Sequence, residues 1–307
     1  MKLGVFTACM PDRSLEFIAQ RAEQGGFASL EIACWPGHDS RPFTAAHLDA
    51  ARFGQSEAEH VLDLLKRHRL TVSSLGYYDN PLHPDPVVRT AVLAHLHRVI
   101  DAAAAVGAPT VGTFIGRDPG HSVQWNLREA EQVFPELVDH AERAGVGIVI
   151  ENCVMEGWHP DGYPGNLAYS PELWEWMFTL GLYLNYDPSH LVWLGIDPAA
   201  AISPYARWIK HVQAKDVQIL PHQRQRYGWP GKAVNRAANP WDTGWWRYRV
   251  PGRGEVDWRA VIDALAEGGY DGTISIEHED PVWSGSTDRV LAGLEIARRT
   301  LQPLLIP

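Results

Sequence analysis

The chain has 307 residues, enough for one large domain or two small ones, and its 45% hydrophobic and 21% charged composition is that of a folded globular protein rather than a disordered one. Lys plus Arg total 27 against 37 Asp plus Glu, a formal net charge of −10. That sign disfavours a nucleic-acid binder, which needs a cationic surface, and an electrostatic role at a membrane surface.

Short β-branched runs alternate with longer amphipathic segments along the whole chain. A strand is predicted over 2–8, then a helix over 14–25, with Ser14 as its N-cap and Gly25-Gly26 as its stop. A second strand at 29–34 leads through a 20-residue loop to a helix near 56–69. Strand three at 71–78 precedes a long Ala-rich helix over 86–106, and strand four at 110–116 precedes a helix near 122–144. Strand five spans 147–152, and Ser170-Pro171 opens a helix to about 180, with proline at the first helical position. Strand six at 182–187 is followed by a short helix near 198–202. Strand seven at 209–216 runs into a long polar and aromatic loop reaching about 255. A helix over 257–267, strand eight at 272–277 and a helix over 286–302 close the chain.

Eight such units with doubly apolar strands predict one (β/α)8 TIM barrel spanning 1–307 as a single domain. An open doubly wound sheet would want a glycine-rich loop after strand one, and Ala8-Cys9-Met10-Pro11-Asp12-Arg13 contains no glycine. No apolar run reaches about 18 residues, so no membrane span is expected. Cys9, Cys34 and Cys153 lack CxxC spacing, which favours free thiols in a reducing cytoplasm over a disulfide framework or a structural zinc.

Catalytic groups in such a barrel come from the C-terminal ends of the strands. Strand five ends in Glu151-Asn152, strand six in Asp187-Pro188-Ser189-His190 and strand eight in Glu277-His278-Glu279-Asp280, while strand seven carries His211-Val212-Gln213-Ala214-Lys215-Asp216. Carboxylates gathered at one rim repel one another unless a cation neutralises them. A divalent metal held by Glu151, Asp187, Gln213 and Glu277 is the simplest resolution, and an oxygen-only set suits Mg2+ or Mn2+. His190 is placed to hydrogen-bond a substrate hydroxyl, and Lys215, in phase with Gln213, to hold an anionic oxygen.

Trp is unusually frequent at 13, and Trp229, Trp241, Trp245, Trp246 and Trp258 fall in one stretch. Indole faces stack on sugar rings, so Trp246 is a candidate platform for a carbohydrate.

The segments ENC at 151–153, NYDPSH at 185–190, HVQAKD at 211–216, WWRYRVPGRGEVDW at 245–258 and YDGTISIEHEDP at 270–281 resemble the sugar phosphate isomerase/epimerase family of xylose-isomerase-like TIM barrels. The resemblance implies a metal held by Glu151, Asp187, Gln213 and Glu277, where the family often has His at the position of Gln213. It leaves His211 as the alternative ligand or a substrate contact. His190 matches a substrate-contacting His of related ketose epimerases, whose arginine after strand seven has no counterpart here, the position falling near Ile219. The family's chemistry implies an isomerase or epimerase of a keto sugar, acting through an enediolate with Glu151 and Glu277 as proton shuttles. The alternative is a metal-dependent lyase that cleaves 3-oxo-glycosides by β-elimination. Either way the expected partner is a small carbohydrate, and the resemblance admits a homo-oligomer or a small partner subunit.

Overall fold

The structure is a computed structural model and describes residues 1–39, 41, 44–234 and 241–305. Eight parallel strands close into a barrel: β1 (Lys2–Phe6), β2 (Ser29–Ala33), β3 (Thr71–Gly76), β4 (Thr110–Thr113), β5 (Gly147–Glu151), β6 (Tyr183–Tyr186), β7 (Ile209–Ala214) and β10 (Thr273–Ile276). Closure is made by β1 lying beside β10, with Lys2 opposite Thr273 and Val5 opposite Ile276. Gly4 permits it, since a Cβ there would meet Ser29 Oγ at 2.5 Å and Thr273 Cγ2 at 2.8 Å.

The helices behind the strands are α1 (Leu15–Gln24), α2 (Gln55–Arg67), α3 (Pro86–Val106), α4 (Val123–Ala144), α5 (Pro171–Phe178), α6 (Pro188–Leu194), α8 (Trp258–Glu267) and α9 (Thr287–Leu301). Their boundaries follow capping chemistry. Ser14 accepts from the Phe17 N–H, and Asp85 accepts from Val87 and Val88 just before Pro86. Gly107 and Gly145 end α3 and α4 in the left-handed region, φ 69 and 72. Among the described residues no helix is long and apolar enough to cross a membrane, and all three cysteines are free.

Three elements differ from the sequence reading. Residues 198–202 form turns, and a 3-10 segment follows at Ser203–Trp208. Pro204 falls in the first turn of that segment, where its missing N–H costs no bond, so the helical geometry begins there. A short helix instead forms earlier, α6, because Asp187 caps the Ser189 N–H and Pro188 sits at its first position. The predicted long loop contains a hairpin: β8 (Asp216–Ile219) pairs antiparallel with β9 (Trp246–Arg249), with α7 (Pro221–Tyr227) between them. Residues 235–240 of that stretch lie outside the described residues. Strand seven therefore ends at Ala214 rather than 216.

The chain leaves the barrel at Asp216 because that carboxylate is pinned from outside. Asp216 accepts the N–H groups of Val217, Gly252 and Val256 and the Trp258 indole N–H. The turn at 251–254 thus wraps around a buried acid, which forms no pair with Lys215.

Candidate active site and metal centre

The ends of β5, β6, β7 and β10 bring five of the expected residues, Glu151, Asp187, His190, Lys215 and Glu277, into one buried cage. One carboxylate oxygen each from Glu151, Asp187 and Glu277 lies within 4.8 Å of the others. Lys215 Nζ sits among them, 2.9 Å from Glu277 Oε2, 3.2 Å from Asp187 Oδ2, 3.7 Å from Glu151 Oε1 and 3.2 Å from Glu279 Oε2. His190 Nε2 lies 3.1 Å from Glu151 Oε1 and 3.2 Å from Asp187 Oδ2. The hairpin closes one side: Tyr248 bonds His190 Nδ1 at 3.1 Å, and Lys215 Nζ stands 4.5 Å over its ring.

Asp187 divides its two oxygens between structure and site. Oδ1 caps α6 through Ser189, and Oδ2 faces Lys215 and His190 with no conventional hydrogen bond. Burial opposes its charge, but Lys215 and His190 outweigh that and hold its pKa at about 2. Burial also opposes charge on His190, and the neighbouring Asp187 carboxylate carries it well above the ordinary imidazole range. Lys215, despite burial, is held firmly charged by Glu277, Glu279, Asp187 and Glu151. Glu277 goes the other way: burial pushes its carboxyl well above the usual range, against the pull of Lys215, and the charge of Glu151 adds to the rise.

Gln213 and His211 lie deeper in the barrel. Gln213 Nε2 donates to Glu31 Oε1 at 3.0 Å and to the Tyr78 hydroxyl at 3.1 Å, while its Oε1 is buried without a hydrogen bond. Both ring nitrogens of His211 are engaged, Nδ1 by Asn185 Oδ1 at 3.0 Å and Nε2 by Ser73 Oγ at 3.2 Å. Burial lowers its pKa to about 3, so the ring is neutral. Trp246 is not in the cage. It stacks on Trp193 of α6 at 4.7 Å and is 5% exposed, so one face is spent on holding the hairpin to that helix. Tyr248, two residues on, is the hairpin aromatic that reaches His190.

Glu31, Tyr78, Tyr248 and Glu279 were not singled out from the sequence. Glu31 carried a readable signal, a lone acid in the apolar strand SLEIA. Tyr78 and Tyr248 carried none, since aromatic residues abound in both segments.

The cage fits a divalent cation. Three converging carboxylates, with Asp187 Oδ2 unbonded, offer hard oxygen donors, and four carboxylates face one lysine and one histidine. A second ligand combination among the described residues, Glu151 with Cys153 and His190, is poorer. Burial raises the Cys153 thiol to about 12, and only a thiolate ligates.

Among known proteins, the chain is 28% identical over 311 residues to the uncharacterized protein YfiH of Bacillus subtilis (strain 168), covering 91% of this chain and 93% of that protein. It is 32% identical over 245 residues to an inosose dehydratase of Lacticaseibacillus casei, 73% of each chain. A crystal structure of a D-psicose 3-epimerase in the presence of D-fructose superposes with a TM-score of 0.69, covering 98% of this chain and 99% of that one at 14% identity. The sequence profile of the xylose isomerase-like TIM barrels matches residues 19–300. With the closed parallel barrel, that match places the chain in the xylose isomerase-like TIM barrel family.

Proposed function

We propose that the protein is a metal-dependent isomerase or epimerase of a keto sugar. The observation that carries the reading is the buried convergence of Glu151, Asp187 and Glu277 at the C-terminal mouth of the barrel, where this fold does its chemistry. Those three residues and Gln213 Oε1 would hold the ion, and oxygen donors suit Mn2+ or Mg2+. A divalent ion there supplies a Lewis acid for a carbonyl next to the carbon that loses its proton.

The protein's own groups do the rest. Glu151 and Glu277 stand on strands separated by β6 and β7, so one takes a proton from carbon while the other returns it from another direction. Lys215, kept charged, binds an anionic oxygen, and His190 orients Glu151 and donates toward a substrate hydroxyl.

Elimination is the second reading, supported by the 32% identity to an inosose dehydratase. His190 and Lys215 are both charged and beside the carboxylates, placed to protonate a departing hydroxyl or glycosidic oxygen.

One experiment separates the readings: a panel of keto sugars, keto cyclitols and 3-oxo-glycosides incubated with Mn2+-loaded enzyme in deuterated water and read by mass spectrometry. Deuterium in an intact sugar is expected. Loss of water, or release of an aglycone, would assign elimination instead. Glu151→Gln and Glu277→Gln should each lower kcat about 10²–10⁴-fold, the usual worth of an acid–base group. Full activity in either variant removes that glutamate from the mechanism.

A further inference from the structure

Beneath the cage lies a second buried layer that no step above uses. Glu31 of β2 is fully buried. Tyr78, just past β3, lies 2.5 Å from Glu31 Oε1. Gly112 on β4 makes room for it, since a Cβ there would collide with the Tyr78 hydroxyl.

The hydrogen bonds fix the direction of each group in the layer. Tyr78 donates its single O–H to Glu31 Oε1. The Tyr78 oxygen can then only accept, and it does so from Asn185 Nδ2 at 2.8 Å and Gln213 Nε2 at 3.1 Å. Glu31 Oε1 accepts from Gln213 Nε2 as well. Turned over, the Gln213 amide would set its oxygen against two acceptors. Asn185 is locked in the same sense, for its Oδ1 takes the His211 Nδ1 proton. The amide nitrogen of Gln213 is therefore committed, and its oxygen is the end left unbonded.

We propose that Glu31 and Tyr78 are positioning residues that fix the Gln213 amide with its oxygen free to ligate the divalent ion. This rests on the assignment of Gln213 as a ligand made above. It gives the buried acid of β2 a role toward the metal that an apolar residue could not fill, because groups behind a ligand set its orientation and tune the ion.

The test is Mn2+ titration of the metal-stripped full-length protein by calorimetry and electron paramagnetic resonance. The variants are Glu31→Gln, Tyr78→Phe, Gln213→Ala, Glu277→Gln and the double Glu31→Gln/Gln213→Ala. Near-ultraviolet circular dichroism checks that each folds. Glu31→Gln places an amide that can donate to the Gln213 oxygen and capture it. It should weaken Mn2+ binding about 10–100-fold, the usual range for groups behind a ligand. Gln213→Ala should weaken it at least as much, and the double variant no further than Gln213→Ala alone. A purely structural Glu31 would instead multiply the two losses, and that result overturns the proposal. So does wild-type affinity in Glu31→Gln beside a weakened Gln213→Ala, which leaves the metal site standing. Wild-type affinity in Gln213→Ala with a weakened Glu277→Gln removes Gln213 from the ligands and the proposal with it. No Mn2+ binding by the unmodified protein would sink the metal reading itself. Should Glu31→Gln not fold, Tyr78→Phe is read by the same criteria.

Discussion

Asp187 shows how one side chain reads two ways in a sequence. A strand-end acid before proline is a helix cap by pattern and a metal ligand by family likeness; in the structure Oδ1 caps the helix and Oδ2 faces Lys215 in the cage. The in-phase rim residues Glu151, Asp187, Lys215 and Glu277 were legible because period and strand ends fix which face and which end a residue occupies. What was not legible is distance. Nothing in HVQAKD says that the lysine fills the cage or that the histidine sits a layer below it. The buried His211 carries a pH signature of its own. Its folded pKa is about 3 against 6.5 for an ordinary imidazole. Below about pH 6.5 the unfolded chain takes up a proton that the native state refuses, so stability is intact above that point and falls as pH drops toward about 3. The slope is at most about 1.4 kcal/mol per pH unit. Urea unfolding between about pH 6 and pH 4 should show His211→Gln losing stability less steeply than wild type by up to that amount. Equal slopes would mean that His211 protonates in place.

At the scale of elements, the eight strands of the barrel were legible and the excursion from it was not. Alternation of β-branched runs with amphipathic segments is a strong signal, whereas β8 and β9 are four residues each and their pairing bridges a long insertion. Local pattern carries no information about such a non-local pair. Its anchor was visible only as the aspartate of HVQAKD. Asp216 is fully buried, and its acceptors hold the turn through Gly252 at 2.9 Å and Val256 at 3.0 Å. Asp216→Ala would strand the buried N–H groups of Val217, Val256 and Trp258, at about 1–3 kcal/mol each, besides the part-buried one of Gly252. The expected loss is therefore about 3–9 kcal/mol. The same turn leads back to β9 and Tyr248, so residual activity at low temperature should show a disturbed His190, with its acid–base profile shifted. Asp216→Asn keeps one acceptor oxygen and should lose less. A stable Asp216→Ala variant with an unchanged pH profile would detach the turn from the site.

At the scale of the whole molecule, the cage couples folding to its counter-charge. Lys215 is 2% exposed and is the ammonium shared by Glu151, Asp187, Glu277 and Glu279. Removing one partner of a buried ion pair typically costs about 3–5 kcal/mol, because the remaining charge has no solvent and no partner. Lys215→Met should lose stability toward the lower end of that range, since Glu277 is already inclined to keep a proton and so relieve part of the repulsion. Mn2+ acts in the opposite direction. An ion that binds only the folded state stabilises it by about 2.7 kcal/mol at a hundredfold excess over Kd. In the unmodified protein the ion shares the carboxylates with an ammonium at 2.9–3.7 Å. In Lys215→Met only His190 competes with it for them, so it binds more tightly and restores more. Thermal unfolding with chelator and then with Mn2+ should therefore give a larger rise in Tm for Lys215→Met than for wild type. An equal rise would separate Lys215 from the metal site, and no rise in either protein would mean that the carboxylates are balanced by protons and lysine alone.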